Sequence, residues 1–435
     1  MFLALLGFVW FFGTNVPFND EWDFIPQLTG RAPITLSWLW EQHNEHRMPI
    51  PKLLLVGLAR LTNCDFRAGA YCNCVALGVT ALAMMLAAKR LRGRLSYTDA
   101  FFPLALLHWG QVENLLWSFQ VQFILSSVLA CLILLLIVIV RGTPTFSATM
   151  LFGLCLCALS VCGANGLALV PPLATWLALA GLVKARDSTS GSRRTGLLAV
   201  ILSIVASGLT GLYFIGYTSV ARHPPCPSIQ AGLRTAAQFI AMSIGIGGAY
   251  TWPLSALWIL GLTLAGLRAL MVMWQAQRRS RLRALGLLSF ILAITLLALA
   301  LGWGRAGLSA DAGFGIRYVT LAAPLLCCLY YVWVIADKQF IVRCLFALMC
   351  CIVVSNTFYG LGHGREWRSI AGMLERDIRA GVAPRTLLAR WSGHGEGIMP
   401  DTAESVLAER LEMLRSVGSR SDHTSIADVD SGAVN

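Results

Sequence analysis

Two short stretches carry the residue types that do chemistry: Asn19-Asp20-Glu21-Trp22-Asp23 and Glu41-Gln42-His43-Asn44-Glu45-His46-Arg47. Carboxylates and imidazoles accept and return protons, and guanidinium groups bind anions. Both stretches lie between hydrophobic segments. Acid and base groups crowded at such a boundary point to chemistry on a substrate that arrives from lipid. Carboxylate and imidazole are also metal ligands. The spacing His43-x-x-His46 is not diagnostic, so no protein-only zinc site is expected and no cofactor is assigned; a divalent metal stays open.

The surroundings of these stretches fix the class. Of 435 residues, 57% are hydrophobic and only 13% charged, where soluble chains carry about 25% charged residues. The expected fold is an all-α polytopic membrane protein. The net charge of +12 is not a nucleic-acid footprint, because the basic residues fall in short blocks between apolar runs, as positive-inside topology requires. Most of the thirteen cysteines also lie in apolar segments, where a thiol packs as a small hydrophobe.

Apolar runs suggest about eleven spans, near 1–13, 66–88, 97–113, 116–140, 146–162, 167–183, 196–217, 253–274, 284–303, 319–336 and 344–360. The first is short for a crossing of about 20 residues, so either the true start is expected to lie upstream of Met1 or the helix to be thinned at its cytoplasmic end. Residues 15–65 form a first outer loop, with interfacial helices at 33–40 and 52–61. Lys89-Arg90-Leu91-Arg92-Gly93-Arg94 is the first strong basic anchor. It sets the amino end inside and the carboxyl end outside; the membrane is expected to be the cell (bacterial inner) membrane. The stretch 236–250 reads as a half-helix, since a crossing there would put Arg278, Arg279, Arg281 and Arg283 outside. The division is a membrane domain over 1–360, an extracytoplasmic helical tail over 361–418 and a disordered end over 419–435.

This topology sorts the polar residues. Asp20, Glu21, Asp23, Glu45, His46, Arg47, His108, Glu113, Asn114, Asn165, Arg222, Arg305 and Arg317 all fall on the outer side. The inner loops carry a plain Lys/Arg scatter. Ionisable groups at membrane depth cost about 2.5–3.5 kcal/mol on insertion scales, so each is a functional candidate and the active face is the outer one.

The order of elements resembles the GT-C membrane glycosyltransferases, especially protein O-mannosyltransferases and aminoarabinose transferases. Asp20-Glu21 follows the first span, and Glu45-His46-Arg47-Met48-Pro49-Ile50-Pro51-Lys52 leads to a surface helix and a basic stop. Arg47-Met48 interrupts the family's His-Pro-Pro element. The likeness covers residues 1 to about 120, and by topology alone the rest of a GT-C-like bundle. It implies transfer of a sugar from a polyprenyl-phosphate donor in the membrane lipid to an acceptor hydroxyl, with the acceptor unidentified.

The resemblance implies that Asp20 takes the acceptor proton, with Glu21 or Asp23 as alternates; otherwise these acids cap the helix near Trp22. Glu45, His46 and Arg47 would orient the acceptor, while His43 reads as a polar turn. Arg305 or Arg317, and more weakly Arg222 with His223, would hold the donor phosphate through a guanidinium fork, or else snorkel at helix ends. Glu113, Asn114, Trp117 and Gln120 would contact the sugar, or else bond helix to helix. Asn165 reads as a turn residue. Two rival classes stand beside this one. A transporter or flippase of a lipid-linked sugar should show inverted repeats and broken helices, and a non-catalytic membrane protein gives no reason for acids in the first loop.

Overall fold

The computed structural model describes residues 1–140, 142–186, 189–220, 223–276, 280–392, 398–400 and 402–430. Among them regular structure is entirely helical. In chain order the principal helices are α1 (Phe2–Phe12), α2 (Pro49–Leu61), α3 (Arg67–Arg92), α4 (Val121–Ile139), α5 (Phe146–Ser160), α6 (Val170–Ala185), α7 (Ser190–Tyr213), α8 (Ile229–Ala241), α9 (Leu254–Ala276), α10 (Arg281–Arg305), α11 (Tyr318–Ile335), α12 (Gln339–Arg379) and α13 (Glu404–Asp430). Among the described residues seven helices are long and apolar enough to cross a membrane: α3, α4 with its leading turn, α7, α9, α10, α11 and α12. α1, α5 and α6 are shorter apolar helices. This architecture is compatible with a multi-pass membrane protein, because a helix bonds its own backbone groups where water cannot.

α11 is the hub. Its side chains are buried all round from Tyr318 to Val334, and α3, α4, α9, α10 and α12 pack against it. A helix apolar on every face is one enclosed by others. All thirteen cysteines are free, and Cys131, Cys327 and Cys328 are fully buried packing groups.

The stretch 97–113, expected as a third continuous span, is instead a chain of short pieces: Tyr97–Ala100, Phe101–Leu106, Trp109–Gln111 and Val112–Leu116. It still runs the length of α3 in the opposite direction. At one end Asp99 pairs with Arg92, and at the other the Ser118 hydroxyl donates to the Phe66 carbonyl. The break falls at His108, whose backbone is extended. It is tolerated because the Gln111 amide donates to the Leu106 carbonyl at 2.7 Å, supplying a partner the helix no longer provides. A second break follows α8, at Gly245 (φ +86°), a left-handed conformation open to glycine. The long helix α12 serves this break. Asn356 on α12, fully buried, accepts from Gly247 N–H at 3.1 Å and donates to the Ile244 carbonyl at 3.1 Å.

The expected boundary at 360 falls inside α12. At about 1.5 Å per residue this 41-residue helix is about 60 Å long, twice a hydrocarbon core of about 30 Å. Its far half, the short helix Pro384–Trp391 and the start of α13 return to the first loop. There Ala371, Leu374, Leu387, Leu407 and Leu411 close a second core with Val16, Trp22 and Ile25. The tail is therefore a lid on the loop. α13 also runs helically to Asp430, through part of the Ser- and Asp-rich end whose composition pointed to disorder; 431–435 lie outside the described residues. Its anchor is the Leu407 and Leu411 stripe at helical spacing.

Asp99 is fully buried and is held by Arg92, by Ser96 N–H at 2.9 Å and by the Tyr330 hydroxyl at 3.0 Å. Asp99→Ala would strand a mostly buried guanidinium, so a stability loss of about 3–5 kcal/mol is expected. Thermal unfolding of purified protein in detergent measures it, and an unchanged midpoint would contradict the pairing.

Candidate active site

The first loop is built to bring its acids inward. Residues 43–46 make a tight turn in which His43 and His46 exchange backbone hydrogen bonds at 2.8 Å. Asn44 sits at its tip with φ +50°, a left-handed conformation that asparagine tolerates better than most residues. Two side chains clamp the turn from outside. The Tyr213 hydroxyl on α7 donates to the Glu45 carbonyl at 2.6 Å and accepts Arg47 N–H at 2.9 Å. The Arg47 guanidinium donates to the carbonyls of Trp40 and Ile215 at 2.7 and 3.0 Å. Lys52, buried on α2, donates to the carbonyls of Trp38 and Glu41 at 2.6 and 3.0 Å. Burial pulls its ammonium down to about 8.

Held this way, Asp20, Asn44, Glu45 and His46 line one polar cavity of about 190 Å³ with Trp117, Gln120, Gln122, His223, Arg305 and Arg317. The first loop thus meets the end of α10, the start of α11 and the lead-in to α4, residues that are hundreds of positions apart. Glu45 is the junction. Its carboxylate is paired with Arg305, lies 3.3 Å from His46 Nε2 and 3.9 Å from His223 Nδ1. Arg305 also lies 3.2 Å from His223 Nε2. Asp20 faces His43 Nε2 at 3.2 Å and accepts from Asn44 Nδ2 at 3.4 Å.

His46 is set from both sides. Its Nδ1 accepts Ala164 N–H at 3.1 Å, which leaves the proton on Nε2, facing Glu45. Burial, the neighbouring His43 and the more distant Arg317 push it down to about 3, against the pull of Asp20, so the ring is neutral. Gly163 makes that contact possible. Its φ is +124°, and a Cβ there would lie 3.2 Å from both His46 Nδ1 and Gln122 Oε1. Asn165, expected as a plain turn residue, is in this turn and lines a second cavity.

That second cavity is apolar, about 790 Å³, and shares Glu45, His46, Phe123, His223 and Arg305 with the first. Leu167, Pro171, Phe214, Leu297, Leu301 and Trp303 form much of its wall. A charged pocket therefore opens on a greasy one, with the Glu45–Arg305 pair at the border.

Several expected site residues stand elsewhere. Glu21 is not in the polar cavity. Its two carboxylate oxygens accept Phe18 N–H and Phe119 N–H, each at 2.9 Å, capping the Asn19–Phe24 turn and tying it to the lead-in of α4. Burial outweighs these bonds and raises its carboxyl to about 8, with a smaller push from Asp20. Asp23 faces the tail, paired with Arg410 at 3.0 Å. Arg47 is the strut described above. Asn114 bonds helix to helix: its amide donates to Thr320 Oγ1 at 2.7 Å and to the Arg317 carbonyl at 3.3 Å, so it fixes the backbone that carries Arg317. Glu113 is on the same turn and does not line the cavity. Arg222 lies outside the described residues.

Asn44 and Gln122 line the cavity and His43 backs it through Asp20, roles that the sequence did not assign, while His223, the weaker phosphate candidate, lines it. The signal for His43 and Asn44 was present: a His-Asn-Glu-His tetrapeptide suits a tight turn, and such a turn presents its flanking imidazoles together. Among the described residues no group of three His, Cys, Asp or Glu is placed to hold a metal ion. In comparisons with protein-family models, curated proteins and solved structures, nothing matches this chain. The fold and the cavity define an all-helical chain with membrane-length helices and an acid–imidazole–guanidinium pocket at one end.

The Glu21 geometry has a pH signature. The folded chain keeps a proton that the unfolded chain releases above about 4.5, so the stability owed to Glu21 is full below that pH and is lost as pH rises toward about 8. His46 works oppositely: its contribution is full above about 6.5 and is lost as pH falls toward about 3. Between pH 6.5 and 8 the Glu21 slope stands clear of it. Glu21→Gln turns an amide toward one backbone N–H, costing about 1–2 kcal/mol. In melting curves over this range, wild type should lose stability relative to the variant as pH rises. A constant gap would refute the raised carboxyl.

Proposed function

We propose that this protein is a membrane glycosyltransferase that moves a sugar from a polyprenyl-phosphate donor to an acceptor hydroxyl on the extracytoplasmic face. One observation carries this: Asp20, Glu45, His46, Arg305 and Arg317 share a polar cavity that opens on a large apolar one. A donor with a charged head and a long hydrocarbon tail has that division. The side of the membrane follows from charge. Lys89, Arg90 and Arg92 end α3 at the opposite end from the cavity, and basic blocks favour the cytoplasm.

In this mechanism the acceptor oxygen attacks the anomeric carbon and its proton passes to the Asp20 carboxylate. The bond from that carbon to the phosphate oxygen breaks, and the lipid phosphate leaves with the electron pair. His43 and Asn44 hold Asp20 in place by their 3.2 and 3.4 Å contacts. Arg305 and Arg317 meet the growing negative charge on the phosphate. Arg305 already holds a carboxylate, that of Glu45, so donor binding exchanges one anion for another and Glu45 is released toward the acceptor. Trp117 and Gln120 are the cavity's candidates for the sugar ring.

A transporter or flippase of a lipid-linked sugar has an observation in its favour. Two interrupted segments, at His108 and at Gly245, lie beside α12 within the bundle, and broken helices are common in transporters. The two readings differ in whether a bond is cleaved.

The test incubates purified protein in nanodiscs with a panel of polyprenyl-phosphate sugars and follows release of lipid phosphate. Wild type should release it, and Asp20→Asn should be slower by about 10²–10⁴-fold, the usual worth of a general base. Undiminished turnover would remove Asp20 from the mechanism. Movement of donor between leaflets with no lipid phosphate released would support the transporter instead. Arg317→Ala should raise the donor KM about ten- to hundredfold, as loss of a charged hydrogen bond does. An unchanged KM would place the phosphate elsewhere.

A further inference from the structure

A second large cavity, of about 750 Å³, lies apart from the candidate active site. Trp10 and Phe11 at the end of α1, Arg67 at the start of α3, and Arg365, Arg368 and Arg376 on α12 are among the residues that line it. The three α12 arginines recur at i, i+3 and i+11 and so share one face of the helix. Gly372, between them, leaves the floor open: a Cβ there would meet nothing within 4 Å.

The charge of this cavity is lopsided. Four guanidiniums face one carboxylate, Glu375, which Arg379 engages at 2.5 Å. Arg67 is paired with Asp65, and Arg368 donates to the Phe11 carbonyl at 2.6 Å while lying 4.5 Å over its ring. Among the described residues Arg365 and Arg376 have no carboxylate partner. Like charges gathered round an open space repel unless an anion joins them.

The neighbouring surface says what kind of anion. Trp10 is 74% exposed, and Phe358, two turns before Arg365 on α12, is 72% exposed. α12 thus passes from an exposed apolar ring to arginines, and the exposed Trp10 of α1 borders the same arginines across the cavity. Aromatic rings below and cations above mark the plane of lipid headgroups. We propose that this cavity binds the headgroup of an anionic membrane lipid, its phosphate between Arg365 and Arg376 and its chains along Trp10 and Phe358. The site neither requires sugar transfer nor shares a residue with the polar cavity. Because α12 carries the lid over the first loop, a lipid held here ties that lid to the membrane.

The experiment uses full-length protein in detergent, titrated with phosphatidylglycerol or phosphatidylcholine and followed by native mass spectrometry. Phosphatidylglycerol should bind at least tenfold tighter. The double variant Arg365→Gln/Arg376→Gln should weaken it tenfold or more, each basic residue near a headgroup being worth several-fold. Arg385→Gln, exposed on the same tail but outside the cavity, should not change it. Gly372→Leu keeps every arginine, fills the floor and should weaken binding similarly, which guards against a charge variant that merely misfolds. Phosphatidylglycerol binding undisturbed by both the double variant and Gly372→Leu would overturn the site. Inorganic phosphate at millimolar level displacing the lipid completely would show an anion pocket without lipid selectivity, and would overturn the proposal too.

Discussion

Backbone groups freed inside an apolar bundle must find partners within it, and much of this structure follows from how that demand is met. Two chain segments are broken where continuous helix would have been simplest. Each break is served by a buried amide: Gln111 on the Leu106 carbonyl, Asn356 on Gly247 and Ile244. The polar groups then link onward. Gln111 accepts from Thr320, Thr320 from Asn114, and Asn114 also holds the Arg317 carbonyl. A chain of side chains that satisfies backbone in the interior thus ends by fixing an arginine at the cavity. In a low-dielectric interior such networks are strong when complete and costly when cut.

The first loop obeys a related constraint. It carries six of the chain's 22 acids, yet short helices and turns alone would not hold them. It is clasped from below by Tyr213 and Arg47, crossed by the buried Lys52, and roofed by the far half of α12 with the tail. Glu21 spends both oxygens on backbone N–H groups of the loop and the lead-in to α4. These fastenings leave Asp20 and Glu45 as the loop acids that face the cavity. The sugar transfer we propose would need rigid support of this kind, since small displacements cost large factors in rate.

Charge compensation gives the cavity its character. The carboxylates of Asp20 and Glu45 set against Arg305 and Arg317, with neutral His46 among them, keep a crowded site near balance. The arginine-lined cavity beside α1 is the opposite case, with cations in excess beside the exposed aromatics. One end of the molecule therefore presents two differently charged recesses. Both depend on α12 being a single long helix rather than a span followed by a separate tail.

The sequence by itself determined the class and the neighbourhood. Apolar runs with basic stops are enough for membrane-length helices, because hydrocarbon allows few other ways to satisfy a backbone. The density of acid and imidazole in 19–47 was enough to mark the first loop, and Arg305 and Arg317 stood out as late arginines beside apolar helices. Which acids face inward was a tertiary decision. Asp20, Glu21 and Asp23 are neighbours in sequence with one chemistry, but a tight helical turn sends them to the cavity, to buried backbone amides and to Arg410 respectively. His43 looked like a turn residue until the fold of 43–46 set it against Asp20. The broken segment 97–113 was equally hidden, since its composition suits a continuous helix and only the amides that cap the break reveal why it need not be one. Local pattern fixes what a residue can do; its partners, brought from far along the chain, fix what it does.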